Sequence, residues 1–137
     1  MGRTFLCGNT NTAQHQCKVI TVASRKGGVG KTTTTVSLCT GLAGQVKEDG
    51  TPIRVLAIDT DSQNSLGVSL GVLEADKLPY SLTNVMQNIM TEQDFDPLQG
   101  IIRHEEGIDL MPSNVSLTSI ELYQIAIYFK LIKSLTP

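Results

Sequence analysis

Several things that would anchor a chain outside a reducing, aqueous compartment are missing from this sequence. Its cysteines, Cys7, Cys17 and Cys39, are odd in number and show no Cys-x-x-Cys spacing. That excludes a disulfide framework or a cysteine metal site and leaves reduced, cytoplasmic thiols. A membrane span needs roughly 20 mostly apolar residues, and the longest candidate, Ile125 to Leu135, is short and carries Lys130 and Lys133. Met1 to Gln16 is polar, with Asn9, Thr10, Asn11, Thr12, Gln14 and His15, and lacks the apolar core of a signal peptide. A net charge of −2 supplies no general attraction to nucleic acid or anionic membrane. There is no internal repeat and no low-complexity linker. These absences point to a soluble cytoplasmic protein with no membrane span.

What is present is enough for one globular domain: 137 residues, 40% hydrophobic and 18% charged, an ordinary composition. The informative run is Lys26-Gly27-Gly28-Val29-Gly30-Lys31-Thr32-Thr33. It follows the β-branched stretch Val19-Ile20-Thr21-Val22-Ala23, whose apolar continuity predicts a buried parallel strand. After it, Val36, Cys39 and Ala43, with Leu38 and Leu42, give the spacing of a helix from Lys31 to about Gln45. Glycines between a strand and a helix let successive backbone N–H groups turn toward an anion, and the helix terminus adds unpaired N–H groups and a positive dipole end. Lys31 supplies a mobile positive charge for outer phosphates, and the Thr32 hydroxyl can complete a magnesium shell. The run reads as a phosphate-binding loop. Four threonines are poor helix formers; Thr32 and Thr33 are explained as phosphate and metal contacts, whereas Thr34 and Thr35 are not.

Further along, Lys47 to Pro52 is a charged turn and Ile53 to Ile58 a second strand ending at Asp59. A strand, helix, strand unit of this kind crosses over right-handed and holds its ligand at the carboxyl ends of the strands. Asp59 and Asp61 stand at that end, where carboxylates can hold magnesium or orient an attacking water. Ser81 caps a helix to Met90, with Leu82, Val85, Met86 and Ile89 on one face. Ile101 to Arg103 and Ile108 to Met111 form two short strands around the turn Glu105-Glu106-Gly107. Pro112-Ser113-Asn114 ends the second strand and caps a helix from Val115.

The eight residues from Lys26 to Thr33 resemble the deviant phosphate-binding loop of the ParA/MinD group of ATPases, which includes the nitrogenase iron protein. Arg25 occupies the position where the general phosphate-loop pattern has glycine, and Lys26 is the family's additional lysine. Asp59-Thr60-Asp61-Ser62-Gln63 is similar to the family's Asp-x-Asp-Pro-Gln, with Ser62 in place of proline, which predicts a less rigid loop from Asp61 to Ser65. Gly67 to Gly71 is compatible with the glycine-containing stretch that follows. Ile108 to Asn114, with Leu117 and Glu121-Leu122, resembles the chromosome and plasmid partition branch.

The resemblance covers about Lys18 to Leu122. It implies an α/β P-loop NTPase with a doubly wound, mostly parallel sheet, of which this chain is the amino-terminal part. By it, the loop binds ATP with Mg2+ through Gly27, Gly28, Val29, Gly30, Lys31, Thr32 and Thr33, and Lys26 reaches a dimer partner's nucleotide. Thr32 and Asp59 sit near magnesium, and Asp61 positions the water, which makes Lys26, Lys31 and Asp61 the catalytic set. The implied partners are a homodimer mate or full-length paralogue, a ParB-like protein and non-specific DNA.

The family's next apolar strand, ending in Asp-x-Pro-Pro, has no counterpart after Glu121. The expected organisation is an arm over residues 1–17, an incomplete nucleotide-binding domain over 18–122, and a divergent apolar tail over 123–137. Two other functions compete with a partition ATPase: a non-catalytic nucleotide-binding or dimer-interfering fragment, and a MinD-like membrane-associated cell-division regulator, motivated by Ile125, Phe129 and Ile132.

Overall fold

A computed structural model describes residues 18–104 and 107–120; the expected N-terminal arm, Cys7, Cys17, Glu105, Glu106 and the apolar tail lie outside the described residues. Chain order is α1 (Lys31–Ala43), β1 (Val55–Ile58), α2 (Ser65–Ser69), α3 (Leu82–Met90), β2 (Ile102–Arg103) and β3 (Ile108–Met111), with short 3-10 turns at Ala75–Lys77 and Pro97–Gly100. The sheet runs β1-β3-β2. Strands β1 and β3 are parallel, with Val55 opposite Ile108 and Ile58 opposite Met111, while β2 and β3 form an antiparallel pair.

Strand alternation sorts the side chains onto two faces. Val55, Ala57, Ile108 and Leu110 share the face that meets Cys39 of α1 and Leu66 and Leu70 of α2, with Val36, Ala43 and Val72 packed around them. Ile108 and Leu110 are fully buried there, and burial of such a side chain is worth about 1.5–3 kcal/mol. Burial also pushes the Cys39 thiol above its ordinary pKa, so it stays protonated as part of the core. On the other face Met111 is buried, whereas Leu56 and Ile58 are half exposed.

The predicted strand Val19 to Ala23 is absent: residues 18–23 have no strand geometry, and Val19 is 87% and Ile20 60% exposed. β-Branched residues supply the propensity, but a parallel strand exists only through ladder bonds to neighbours. Among the described residues neither β1 nor β3 pairs with this segment. The other elements stand with shifted bounds. The first helix ends at Ala43 rather than about Gln45, closed by Gly44 N–H on Thr40 O at 3.3 Å and Gln45 N–H on Leu42 O at 3.0 Å. The second strand starts at Val55, because Ile53 N–H is drawn into the preceding turn by Gln45 O at 3.0 Å. The last predicted helix is helical at residues 117–120 rather than from Val115.

Ser81 begins α3 as expected; the Asn84 carboxamide oxygen accepts from the Ser81 N–H at 2.9 Å and from its hydroxyl at 3.2 Å. The buried face differs from the apolar pattern. Thr83 is buried and Ile89 is 61% exposed, because the Thr83 hydroxyl donates to Asn114 Oδ1 at 2.6 Å and docks this side of α3 on the turn after β3.

Helix α2 went unread in the sequence, and its packing depends on Gly67. Asn64, at φ 52, folds its carboxamide over Gly67 and donates from Nδ2 to Val72 O at 3.0 Å. A Cβ on Gly67 would lie 2.1 Å from Asn64 Oδ1. Gly67→Ala therefore destabilises the fold: overpacking costs about 1–3 kcal/mol against a helix-propensity gain of about 1 kcal/mol. A urea unfolding midpoint below that of the wild type checks this; an unchanged or higher midpoint contradicts it.

Candidate functional site

The run from Ser24 to Lys31 turns tightly because two of its glycines take left-handed backbone, Gly28 at φ 70 and Gly30 at φ 83. Gly30 delivers the chain into α1, whose first helical bond runs from Thr34 N–H to Gly30 O at 2.8 Å. No side chain caps this terminus and its first turn holds no acidic residue, so the opening N–H groups keep their capacity for an external acceptor. Between Lys18 and Val46 the chain has no Asp or Glu at all, while Arg25, Lys26 and Lys31 cluster at the loop. A Cβ built on Gly27, Gly28 or Gly30 meets nothing within 4 Å, so the space above the loop is open. These features fit a polyphosphate: donors, positive charge and room coincide.

Within the loop, Lys31 Nζ folds back to donate to Lys26 O at 3.2 Å, and Lys26 N–H donates to Ser24 Oγ at 3.2 Å. Lys31 and Thr32 are half-buried, whereas Lys26, Val29 and Thr33 are exposed. The Thr35 hydroxyl donates to Lys31 O at 2.9 Å, which gives one of the two unexplained threonines a local partner.

Asp59 and Asp61 occupy different environments. Asp59 is buried, and its N–H continues the parallel ladder onto Met111 O at 3.0 Å. Its Oδ1 accepts from Asp61 N–H at 3.0 Å, and its Oδ2 accepts from Leu66 N–H at 2.9 Å and Gly67 N–H at 3.3 Å. The carboxylate thus neutralises the positive end of α2 and closes the loop back onto the strand. Asp61 is exposed; its Oδ1 accepts from Gln63 N–H at 3.0 Å, and its backbone oxygen accepts from Asn64 N–H at 2.9 Å and from the Ser113 hydroxyl. The loop after β1 is therefore held at several points, despite Ser62 in the place of proline.

Two groups of predicted site residues are thus each assembled locally: Lys26 to Thr33 around the glycine turn, and Asp59 with Asp61 at the end of β1. Helix α1 carries the first group onto the layer formed by α2 and β1, since Cys39, Leu66 and Ala57 share one core. Among the described residues, no hydrogen bond or ion pair joins Lys26 or Lys31 to Asp59 or Asp61. Sequence reasoning missed Ser113 as a partner of Asp61, because the two are 52 residues apart and only strand pairing brings them together.

A protein-family model described as AAA domain matches residues 17–133. The chain belongs to that family. Its members are P-loop ATPases of the ParA/MinD type, and the mixed α/β elements described above are part of that fold. The chain is 38% identical over 100 residues to an uncharacterized ATP-binding protein of Methanocaldococcus jannaschii, covering 72% of this chain and 33% of that protein. It is 31% identical over 106 residues to the chromosome partitioning protein ParA of Caulobacter vibrioides, covering 77% of this chain and 35% of that one. Among solved structures, cobyrinic acid a,c-diamide synthase from Mycobacterium smegmatis, with bound ATP analog and magnesium, aligns with a TM-score of 0.61 at 38% identity, over 75% of this chain and 37% of that chain. A plasmid partition protein from Borrelia burgdorferi aligns with a TM-score of 0.52 at 29% identity, over 71% of this chain and 39% of that chain. The chain spans about a third of the length of the curated relatives it matches.

The geometry around Asp59 yields a stability test that needs no ligand. Asp59→Ala strands three N–H donors, two of them on buried Leu66 and Gly67, and should cost on the order of 2–3 kcal/mol. Asp59→Asn keeps one acceptor oxygen and should cost less. Urea unfolding of both variants reads the difference, and equal stability of Asp59→Ala and wild type would contradict the assignment.

Proposed function

We propose that this chain is the nucleotide-binding portion of a ParA-like partition ATPase and that it takes magnesium-ATP on the loop from Lys26 to Thr33. The observation that carries this is the pair of left-handed glycines leading into an uncapped, acid-free helix terminus beneath open space. In this reading the loop amides and Lys31 hold the phosphates, with Thr33 beside them. Thr32 and Asp59 lie on the magnesium side, Asp61 orients water, and Lys26 completes the site of a homodimer mate or full-length paralogue. Magnesium, when bound, would screen the phosphate charge during phosphoryl transfer.

The ATP analog and magnesium in the Mycobacterium smegmatis structure support the cofactor half of the proposal. The relatives named for partitioning in Caulobacter vibrioides and Borrelia burgdorferi support the partition half. A ParB-like partner, non-specific DNA and a cytoplasmic location follow from that half alone. No described helix is long and apolar enough to cross a membrane.

The exposure of Val19 and Ile20 favours a second reading, nucleotide binding without turnover, since the segment preceding the loop joins no sheet among the described residues. Calorimetry with magnesium-ATP separates these readings from failure of both. Wild type should bind, and Lys31→Ala should bind at least about tenfold more weakly, a loss of about 1.4 kcal/mol; identical affinities would remove the loop from consideration. A phosphate-release assay then chooses between the two: turnover above that of Asp61→Ala supports the ATPase, and turnover equal to it supports the binding fragment.

A further inference from the structure

The loop after β1 has a partner outside itself. Asp61 N–H, its Oδ1 and one bond to its backbone oxygen are satisfied by Asp59, Gln63 and Asn64, all within three residues. The Ser113 hydroxyl, 52 residues away, donates to that same backbone oxygen. Ser113 is fully buried, at 0% exposure. A buried hydroxyl is unfavourable unless bonded, and alanine would occupy the same position without that requirement, so this bond accounts for serine here.

The serine is itself held on the opposite side. Its neighbour Pro112 accepts at the backbone oxygen from Leu82 N–H at 2.9 Å, and Asn114 Oδ1 accepts from the Thr83 hydroxyl at 2.6 Å. Leu82 and Thr83 open α3, so the three-residue turn is bolted to α3 at both ends and to Asp61 in the middle. This supplies a tether where Ser62 replaces the proline that would stiffen the loop from within.

We propose that Ser113 is the positioning residue for Asp61: through its hydroxyl it fixes the backbone from which the Asp61 carboxylate projects, and it ties that carboxylate to α3. The proposal deepens the reading of Asp61 as the water-orienting group and rests on it. It adds a residue outside both sequence motifs to the machinery.

The test compares Ser113→Ala with Thr83→Val, which removes the other buried hydroxyl bound to the same turn but leaves Asp61 untouched. Backbone amide hydrogen exchange is measured on the whole chain at Asp61, Gln63 and Asn64. Ser113→Ala should speed exchange there about tenfold or more, and Thr83→Val should leave it near wild type. Unchanged exchange in Ser113→Ala, or equal acceleration in both variants, overturns the clamp. Ser113→Cys, slightly larger than serine and a weak donor, should give intermediate exchange and keeps the comparison decisive if the alanine variant unfolds; wild-type exchange in Ser113→Cys overturns it too. Where the wild type turns ATP over, Ser113→Ala should lower kcat severalfold at unchanged KM, and an unchanged kcat overturns the positioning role. If the wild type neither binds nor hydrolyses ATP, the proposed function fails, while the exchange comparison still decides the clamp.

Discussion

The parallel pairing of β1 with β3 is the constraint on which the other features depend. Because both strands run the same way, their carboxyl ends emerge side by side, at Ile58 and Met111. Asp59 prolongs the ladder by one bond onto Met111 O, so the two loops that follow start in contact. An antiparallel pairing would have placed the Asp59 to Asn64 loop and the Pro112 to Asn114 turn at opposite ends of the sheet. Parallel pairing also asks for cover on its faces, and α1 and α2 provide it on one side through Cys39, Leu66 and Leu70.

The buried Asp59 carboxylate illustrates how one side chain can serve two levels of organisation. A charged group at this depth is tolerated only with compensating donors, and three backbone N–H groups supply them. Those same bonds start α2, orient Asp61 and hold the loop closed. Asp61, by contrast, keeps its carboxylate in solvent while its backbone is fixed on several sides. One aspartate is thus a buried anchor, and the other is an exposed carboxylate on a held backbone. The loop from Lys26 to Thr33 differs in kind, a region free of acid with uncapped helix N–H groups.

How well each element could be read from sequence follows the range of the interaction behind it. The glycine turn, the Ser81 cap with Asn84 and the strand pair around Gly107 rest on neighbours within a few residues, and all three were legible. Helix α2 was not, because Asp59 and the carboxamide of Asn64 set it up rather than an apolar repeat. Thr83 defeated the helical pattern for a similar reason: its burial depends on Asn114, 31 residues away. Val19 to Ala23 carries a strand's composition, yet composition cannot supply a ladder partner.

Local chemistry in the sequence alone thus determined the phosphate-loop signature, the two aspartates and their membership in one family pattern, because glycine φ preferences, helix capping and strand alternation act over a few residues. Tertiary structure alone decided which aspartate is buried, which segment fails to join the sheet and that Ser113 meets Asp61. Those outcomes depend on strand pairing between distant segments, where hydrogen-bond partners are chosen by register and proximity in space, and residue type by itself carries no record of them.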